Sequence, residues 1–125
     1  MTNELTEKIL ICTMGNFEIY FTPIVDDAFD FDYMEPKDSK LIQEQLTNDE
    51  LVLFCARVTV EYEGNVYGDD YLGGCLYNNY AEFYTKYKDE YLKQMIDTAL
   101  YTAKQNAEGI IKTFATQPNQ VNNNE

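Results

Sequence analysis

The first regular pattern of apolar and polar positions flanks a short turn. KILICTM, residues 8–14, is an apolar run rich in β-branched residues, and FEIYFT, residues 17–22, alternates apolar with polar positions. Two such segments on either side of a glycine-containing turn are typical of a β-hairpin. The pattern therefore predicts paired strands joined at Gly15-Asn16, with Pro23 ending the second strand because it lacks a backbone N–H.

The clearest strand is ELVLFCARVTVEYEG, residues 50–64, in which alternate apolar positions from Val52 to Tyr62 share one face. The opposite face passes from apolar residues to Arg57, Thr59 and Glu61. Gly64-Asn65 is predicted to turn the chain into a further strand. The paired glycines in DDYLGGCLY, residues 69–77, are predicted to break regular structure.

Two segments have the three- and four-residue spacing of helices. SKLIQEQL, from Ser39, brings its leucines and isoleucine onto one side of a short helix. From Asn79 to about Phe114 the chain has no proline, and apolar residues recur in steps of three and four. Asn79 and Glu82 have the spacing of a capping box. This segment fits either two helices that meet near Asp89 or one long bent helix.

Strands first and helices last predict an α+β fold. We expect an antiparallel sheet of about four strands, with a short helix and a long C-terminal helical segment packed on one face. The length of 125 residues indicates a single domain. We assign residues 1–117 to that domain and the polar residues 118–125 to a disordered tail.

Charge narrows the choice of partners. Twenty-two acidic and nine basic residues give a net charge of −13, and residues 1–78 hold sixteen of the acids but only four of the bases. Because binding to nucleic acid or to anionic membranes depends on Lys and Arg, we expect neither as a direct partner. The expected partner is a basic protein.

Composition also argues against most catalytic chemistry. The chain has no His and one Ser, so a Ser-His-Asp or Cys-His mechanism cannot be assembled within it. No EF-hand calcium loop begins at Asp26 or Asp30. A two-metal nuclease site drawn from Asp26, Asp30, Asp69 and Asp70 would require a surface that repels its own substrate. We predict a protein without enzymatic activity, cofactor or metal.

The cellular compartment follows from the cysteines and the N-terminus. Cys12, Cys55 and Cys75 are odd in number and widely spaced, which predicts buried free thiols rather than disulfides. The N-terminal residues are acidic where a signal peptide is basic, and no apolar run approaches about 18 residues. These features predict a cytoplasmic protein.

One segment, IVDDAFDFDYMEP, places five carboxylates among aromatic residues, with no basic residue before Lys37. Closely spaced carboxylates resemble a phosphate backbone to a basic groove, and aromatic rings add apolar contacts. The alternative is an exposed loop whose aromatic residues enter the core. For the first reading, the predicted aromatic anchors are Phe29, Phe31 and Tyr33. The predicted contact row comprises Asp26, Asp27, Asp30, Asp32, Glu35, Glu61, Glu63, Asp69 and Asp70.

Three short motifs support a resemblance to known proteins. GDDYLGGCLY (68–77), EFY (82–84) and YLKQMI (91–96) resemble small acidic proteins of phages and other mobile elements. The resemblance implies an accessory protein similar to anti-CRISPR or anti-restriction inhibitors, several families of which mimic nucleic acid. No functional residue carries over by motif.

Together, charge and resemblance predict a non-enzymatic inhibitor that binds the basic nucleic-acid-binding surface of a host defence complex. The alternative is an acidic adaptor or structural subunit that acts through protein-protein assembly. Homodimerisation through the amphipathic C-terminal helix is left open.

Overall fold

The computed structural model describes the backbone of residues 3–121 and the side chains of residues 3–108. The described strands form one antiparallel sheet in the order β1 (Ile9–Met14), β2 (Phe17–Ile24), β3 (Val52–Tyr62) and β4 (Asn65–Tyr77). The described helices are α1 (Pro36–Thr47), α2 (Tyr80–Tyr84) and α3 (Lys93–Val121). The predicted α+β fold with a four-stranded antiparallel sheet is confirmed.

The predicted hairpin is formed by β1 and β2, and Gly15 in its turn has φ +61°. The prediction that Pro23 ends the second strand is wrong by one residue. Pro23 pairs in register with Ala56, and its carbonyl accepts a hydrogen bond of 2.8 Å from the N–H of Leu5. Proline lacks only the backbone N–H donor, so its carbonyl can still accept a hydrogen bond from a neighbouring strand.

The prediction that the paired glycines, Gly73 and Gly74, break regular structure is wrong. β4 continues through them as one strand, and the register with β3 shifts between the pairs Phe54–Cys75 and Ala56–Leu72. Gly74 has φ +69°, a conformation that glycine adopts without the steric cost of a side chain. A β-bulge absorbs the irregularity while pairing resumes on both sides.

The C-terminal segment forms two helices, α2 and α3, rather than one long bent helix. The side chain of Asn79 accepts a hydrogen bond of 3.0 Å from the N–H of Glu82 at the start of α2. The Glu82 carboxylate accepts in turn from the N–H of Asn78, at 2.9 Å. A π-helical turn at Lys88–Leu92 leads into α3. The tail predicted from residue 118 begins inside α3, and its residues 122–125 lie outside the described part.

One face of the sheet carries the core. Phe54, Ala56, Val58 and Val60 of β3 are fully buried beneath the helices, and α3 contributes an apolar face of its own. The buried residues of that helical face are Met95, Ile96, Ala99, Leu100 and Ala103.

The helix lies closest to the sheet at Gly68. A Cβ atom at this position would overlap the Ala99 carbonyl oxygen and would approach the Ala103 side chain. Asn106 then donates a hydrogen bond to the Tyr67 carbonyl, which ties the next turn of α3 to β4. Small residues on both elements therefore set the position of α3.

The short helix α1 begins at Pro36, three residues before the predicted Ser39. Proline is favoured at the first helical position because its missing N–H would be unpaired there in any case. Ile42 and Leu46 are half-buried, but Leu41 remains exposed. The predicted apolar side of α1 is therefore only partly covered.

The three cysteines are free thiols, of which Cys75 lies in the core and the other two are half-buried. Burial raises the pKa of Cys75 to about 11 from an ordinary value of 9.0. The unfolded thiol would lose its proton first as pH rises, so ionisation above pH 9 favours the unfolded chain.

We therefore predict that the free energy of unfolding falls between pH 8 and pH 10.5, with about 1 to 2 kcal/mol of the fall due to Cys75. Chemical denaturation of the reduced protein at both pH values measures this slope. Cys75→Ala should flatten it, whereas Cys12→Ala, at a half-buried position, should flatten it less. An unchanged slope in Cys75→Ala would contradict the assignment.

Candidate protein-binding site

The acidic segment between β2 and α1 is anchored to the sheet by Asp26. Its Oδ2 accepts a hydrogen bond of 2.6 Å from the N–H of Gly74 in β4, and its Oδ1 accepts one of 3.1 Å from the N–H of Ala28. Both oxygens of this carboxylate are thus used by the backbone. Asp26 was predicted as a contact residue, but these bonds give it a structural role as a tether.

A small aromatic cluster supports the same segment. The Phe29 and Phe31 rings are 4.8 Å apart in an edge-to-face arrangement, and both side chains are half-buried. The Phe29 ring also lies over Gly74, where an added Cβ would come within 3.7 Å of it. Two of the three predicted anchors are therefore packed within the protein, and they hold the segment in shape.

Beyond this support, the segment presents acids and one ring to solvent. Tyr33 is 92% exposed, and Asp27, Asp30, Asp32 and Glu35 are also exposed. The Asp30 carboxylate accepts a hydrogen bond of 2.8 Å from the N–H of Asp32, which fixes the short helical turn at Phe31–Tyr33. We call residues 25–38 the acidic lobe.

Sequence reasoning missed one carboxylate of the acidic lobe. Asp38 is exposed in the first turn of α1, three residues after Glu35. A negative charge at this end of a helix also interacts favourably with the helix dipole. Residues three apart are neighbours on a helix, so Asp38 lies beside Glu35 only if the helix begins before Asp38. The start was predicted three residues too late, so Asp38 was left out.

The acids of the lobe have no described basic partner. Among the side chains of residues 3–108, the ion pairs are Lys8–Glu61 and Arg57–Asp69. Neither pair includes a residue of the lobe, although Lys37 lies within it. The lobe therefore carries uncompensated negative charge on an exposed surface.

Glu61 does not belong to an exposed contact row. Its residue is 5% exposed, and its Oε1 lies 2.7 Å from Lys8 Nζ. Its Oε2 accepts a hydrogen bond of 3.1 Å from the Thr59 hydroxyl. The hydrogen bond to Glu61 raises the pKa of Lys8, so this carboxylate is neutralised by a local charge. The predicted contact role of Glu61 is therefore wrong, because the carboxylate is buried and paired.

The remaining predicted acids, Glu63, Asp69 and Asp70, belong to β4 and to the turn that precedes it. Ile24, the residue before the lobe, pairs with Cys55 of β3, and Glu63 lies eight residues after Cys55. For an extended strand this places Glu63 about 26 Å from the start of the lobe. Asp69 and Asp70 are adjacent in β4, so their side chains point to opposite faces of the sheet.

Asp69 is also partly compensated. Arg57 Nη2 approaches its Oδ2 at 3.8 Å, and the Tyr71 hydroxyl donates to the same oxygen at 3.3 Å. The nine predicted contact acids therefore do not form one continuous row. Asp27, Asp30, Asp32 and Glu35 lie together in the lobe. Glu61 is buried, Glu63 lies beyond the far end of β3, and Asp69 is paired with Arg57. Asp70 is half-buried in β4 and points to the face opposite that of Asp69.

Within the described part of the chain, no helix has both the length and the apolar character required to cross a membrane. No group of three or more His, Cys, Asp or Glu side chains in this part of the chain has an arrangement that could hold a metal ion.

We predict that the Asp26 tether stabilises the lobe. Asp26→Ala removes two hydrogen bonds and should lower the free energy of unfolding by about 1 kcal/mol, with faster hydrogen exchange at the Gly74 amide. The matched control is Asp27→Ala, which makes the same charge change at the next, exposed position. This control should stay within about 0.5 kcal/mol of the wild type. Equal effects of the two variants would show that charge, rather than the tether, is responsible.

Comparisons of the chain with protein-family models, curated proteins and solved structures found no match. The acidic lobe, with its exposed carboxylates and the exposed Tyr33 ring, is the candidate functional site of this protein.

Proposed function

We propose that this protein is a non-enzymatic inhibitor that binds the basic nucleic-acid-binding surface of a host defence complex. The acidic lobe makes the contact, with Asp27, Asp30, Asp32, Glu35 and Asp38 as its charged groups. Tyr33 is the central aromatic anchor. The protein acts in the cytoplasm of the host cell.

The observation that carries the proposal is the exposure of Tyr33 among unpaired carboxylates. Large aromatic side chains usually bury most of their surface, and this one is 92% exposed. Tyrosine is enriched among residues that dominate binding energy, and its ring attracts Arg and Lys side chains. A partner surface rich in Arg and Lys could pack cations against the Tyr33 ring and form ion pairs with the acids around it.

Concentrated charge also favours fast and selective encounter. A surface with several unpaired carboxylates attracts a basic partner over long range, and it repels nucleic acid and acidic proteins. The lobe is compact, and the other predicted acids are not continuous with it. We therefore propose that it fills a basic pocket or part of a groove, rather than imitating a long duplex.

An acidic adaptor that works through assembly is the second candidate. One observation favours it, namely a groove of about 680 Å³ between α3 and the β1–β2 turn. Phe17, Tyr62, Tyr67 and Leu100 line this groove, and their apolar surface suits a protein partner. Binding there would depend on apolar contact and would change little with salt.

The test compares two triple variants in a pull-down from host lysate at low and at high salt. Asp27→Asn, Asp30→Asn and Asp32→Asn together remove three charges from the lobe. The control combines Asp89→Asn, Glu90→Gln and Asp97→Asn, which are exposed in the helical half and change the net charge by the same amount.

We expect the lobe variant to bind the captured basic protein at least about tenfold more weakly at low salt, which corresponds to about 1.4 kcal/mol. The control variant should bind like the wild type, and added nucleic acid should displace the inhibitor. Equal losses in both variants, or simultaneous binding of nucleic acid and inhibitor, would contradict the proposal. Salt-insensitive capture would favour the adaptor.

A single-residue comparison tests the anchor on the same partner. Tyr33→Ala should weaken binding by about tenfold, in the range expected for an aromatic residue that dominates an interface. Tyr101→Ala is the matched control, because that ring is 68% exposed on α3, away from the lobe. Calorimetric titration measures both affinities, and unchanged binding by Tyr33→Ala would remove this residue from the interface.

A further inference from the structure

The groove between the β1–β2 turn and α3 has the dimensions of a ligand site. Its volume is about 680 Å³, and its lining includes Gly15 and Asn16 of the turn and Leu100 and Ala107 of the helix. Small-molecule sites usually enclose about 300 to 1,000 Å³ and are lined mainly by apolar and aromatic side chains. The groove is therefore large enough for a molecule with one or two rings.

Three aromatic side chains from three different strands line this groove, namely Phe17, Tyr62 and Tyr67. The ring centroids of Phe17 and Tyr67 are 6.3 Å apart with an interplanar angle of 57°. Those of Tyr62 and Tyr67 are also 6.3 Å apart, at 53°. Tilted rings at this separation offer both faces and edges, and aromatic molecules pack favourably against both.

Contacts next to the groove hold its strand and helix sides together. Gly68 allows α3 to lie directly against β4, and the Asn106 side chain donates a hydrogen bond to the Tyr67 carbonyl. A site that is already formed loses less free energy to ordering when a ligand binds. The groove is therefore preorganised on these two sides.

Lys104 gives the groove a local charge opposite to that of the protein. Among the described residues that line the groove it is the one charged residue, and no Asp or Glu is among them. The whole chain, in contrast, has twenty-two acidic and nine basic residues. Lys104 is exposed, and neither ion pair of the described side chains includes it. Its ammonium group is therefore available to a ligand.

We propose that this groove binds a small aromatic carboxylate. The ring of the ligand packs against Phe17, Tyr62 and Tyr67, and Lys104 pairs with the carboxylate. The site is separate from the acidic lobe, so the inference does not depend on the proposed inhibitory function.

Charge complementarity is the reason for choosing an anion. A cationic ligand would be repelled by Lys104 at close range, and a neutral ligand would gain nothing from it. Repulsion between the ligand and the distant acids of the chain is screened over about 10 Å at 0.1 M salt. The pair with Lys104 is a direct contact, so it is screened less.

The confinement of the apolar surface favours a small molecule over a protein partner. The three rings are half-buried and Leu100 is 9% exposed, so among the large apolar residues of the lining only Met14 is exposed, at 45%. A stable protein interface usually buries about 1,200 to 2,000 Å² in total, which requires apolar surface well beyond a cavity.

The test follows NMR signals of the full chain during titration with naphthalene carboxylate and, in parallel, with the neutral naphthalene carboxamide. The two probes share the ring and differ in charge. Lys104→Gln removes the cation of the groove. Lys93→Gln is the matched control, because Lys93 is exposed on the same helix and does not line the groove. Ala107→Phe places a ring in the groove itself.

We expect the carboxylate to shift the signals of Gly15, Leu100 and Ala107. Lys104→Gln should weaken carboxylate binding about threefold to fivefold, the range of a solvent-exposed ion pair, and leave carboxamide binding unchanged. Lys93→Gln should bind both probes like the wild type. Ala107→Phe should weaken both, because its side chain occupies the space of the ligand.

Absence of shifts at the groove signals would overturn the proposal and leave the groove to the protein partner of the second candidate function. Equal wild-type affinity for the two probes would also overturn it, as would equal losses in Lys104→Gln and Lys93→Gln. None of these results bears on the pull-down with the lobe variants, so this proposal and the proposed function can fail separately.

Discussion

The close contact between α3 and β4 at Gly68 is the constraint on which the arrangement of this protein depends. A side chain at position 68 would overlap the Ala99 backbone, so the helix can lie this near only because glycine faces alanine. At this distance Ala99 and Ala103 are fully buried, and the apolar face of β3 is covered. Helix α3 therefore lies against the face of the sheet that carries Phe54, Ala56, Val58 and Val60. The alternate residues Arg57, Thr59 and Glu61 of β3 point to the other face.

The opposite face of the sheet shows how an acidic protein can use part of its charge internally. Lys8, Glu61 and Thr59 form a compact network there, and Lys8 Nζ lies 4.2 Å from the centre of the Tyr20 ring. Only Glu61 is buried in this pair, and removing Lys8 would leave its charge without a partner and with little access to water. Glu61 is therefore part of the architecture, whereas the exposed acids of the lobe can contact another molecule. The same distinction separates Asp26, whose carboxylate holds backbone groups, from Asp27, whose carboxylate faces solvent.

Sequence reasoning succeeded where the relevant interactions are local. The alternation in β2 and β3 predicted their buried faces, and the spacing of Asn79 and Glu82 predicted the start of a helix. In the acidic lobe the exposed carboxylates are close in sequence, so a short segment was enough to identify four of them. The predictions failed where the outcome depended on a distant residue. Glu61 is neutralised by Lys8, 53 positions away, and Phe29 packs over Gly74 of a strand that comes much later in the chain.

By itself, the sequence determined the periodicities of the strands and helices, the net charge of −13, and the exclusion of histidine-dependent chemistry. These are properties of residue type and of neighbours along the chain, which one sequence contains in full. Tertiary structure alone decided which acids are exposed and which are paired, and that Asp26 tethers the acidic lobe to Gly74 of β4. Such properties depend on the distances and solvent access that arise when strands from different parts of the chain pair, and no local pattern encodes them.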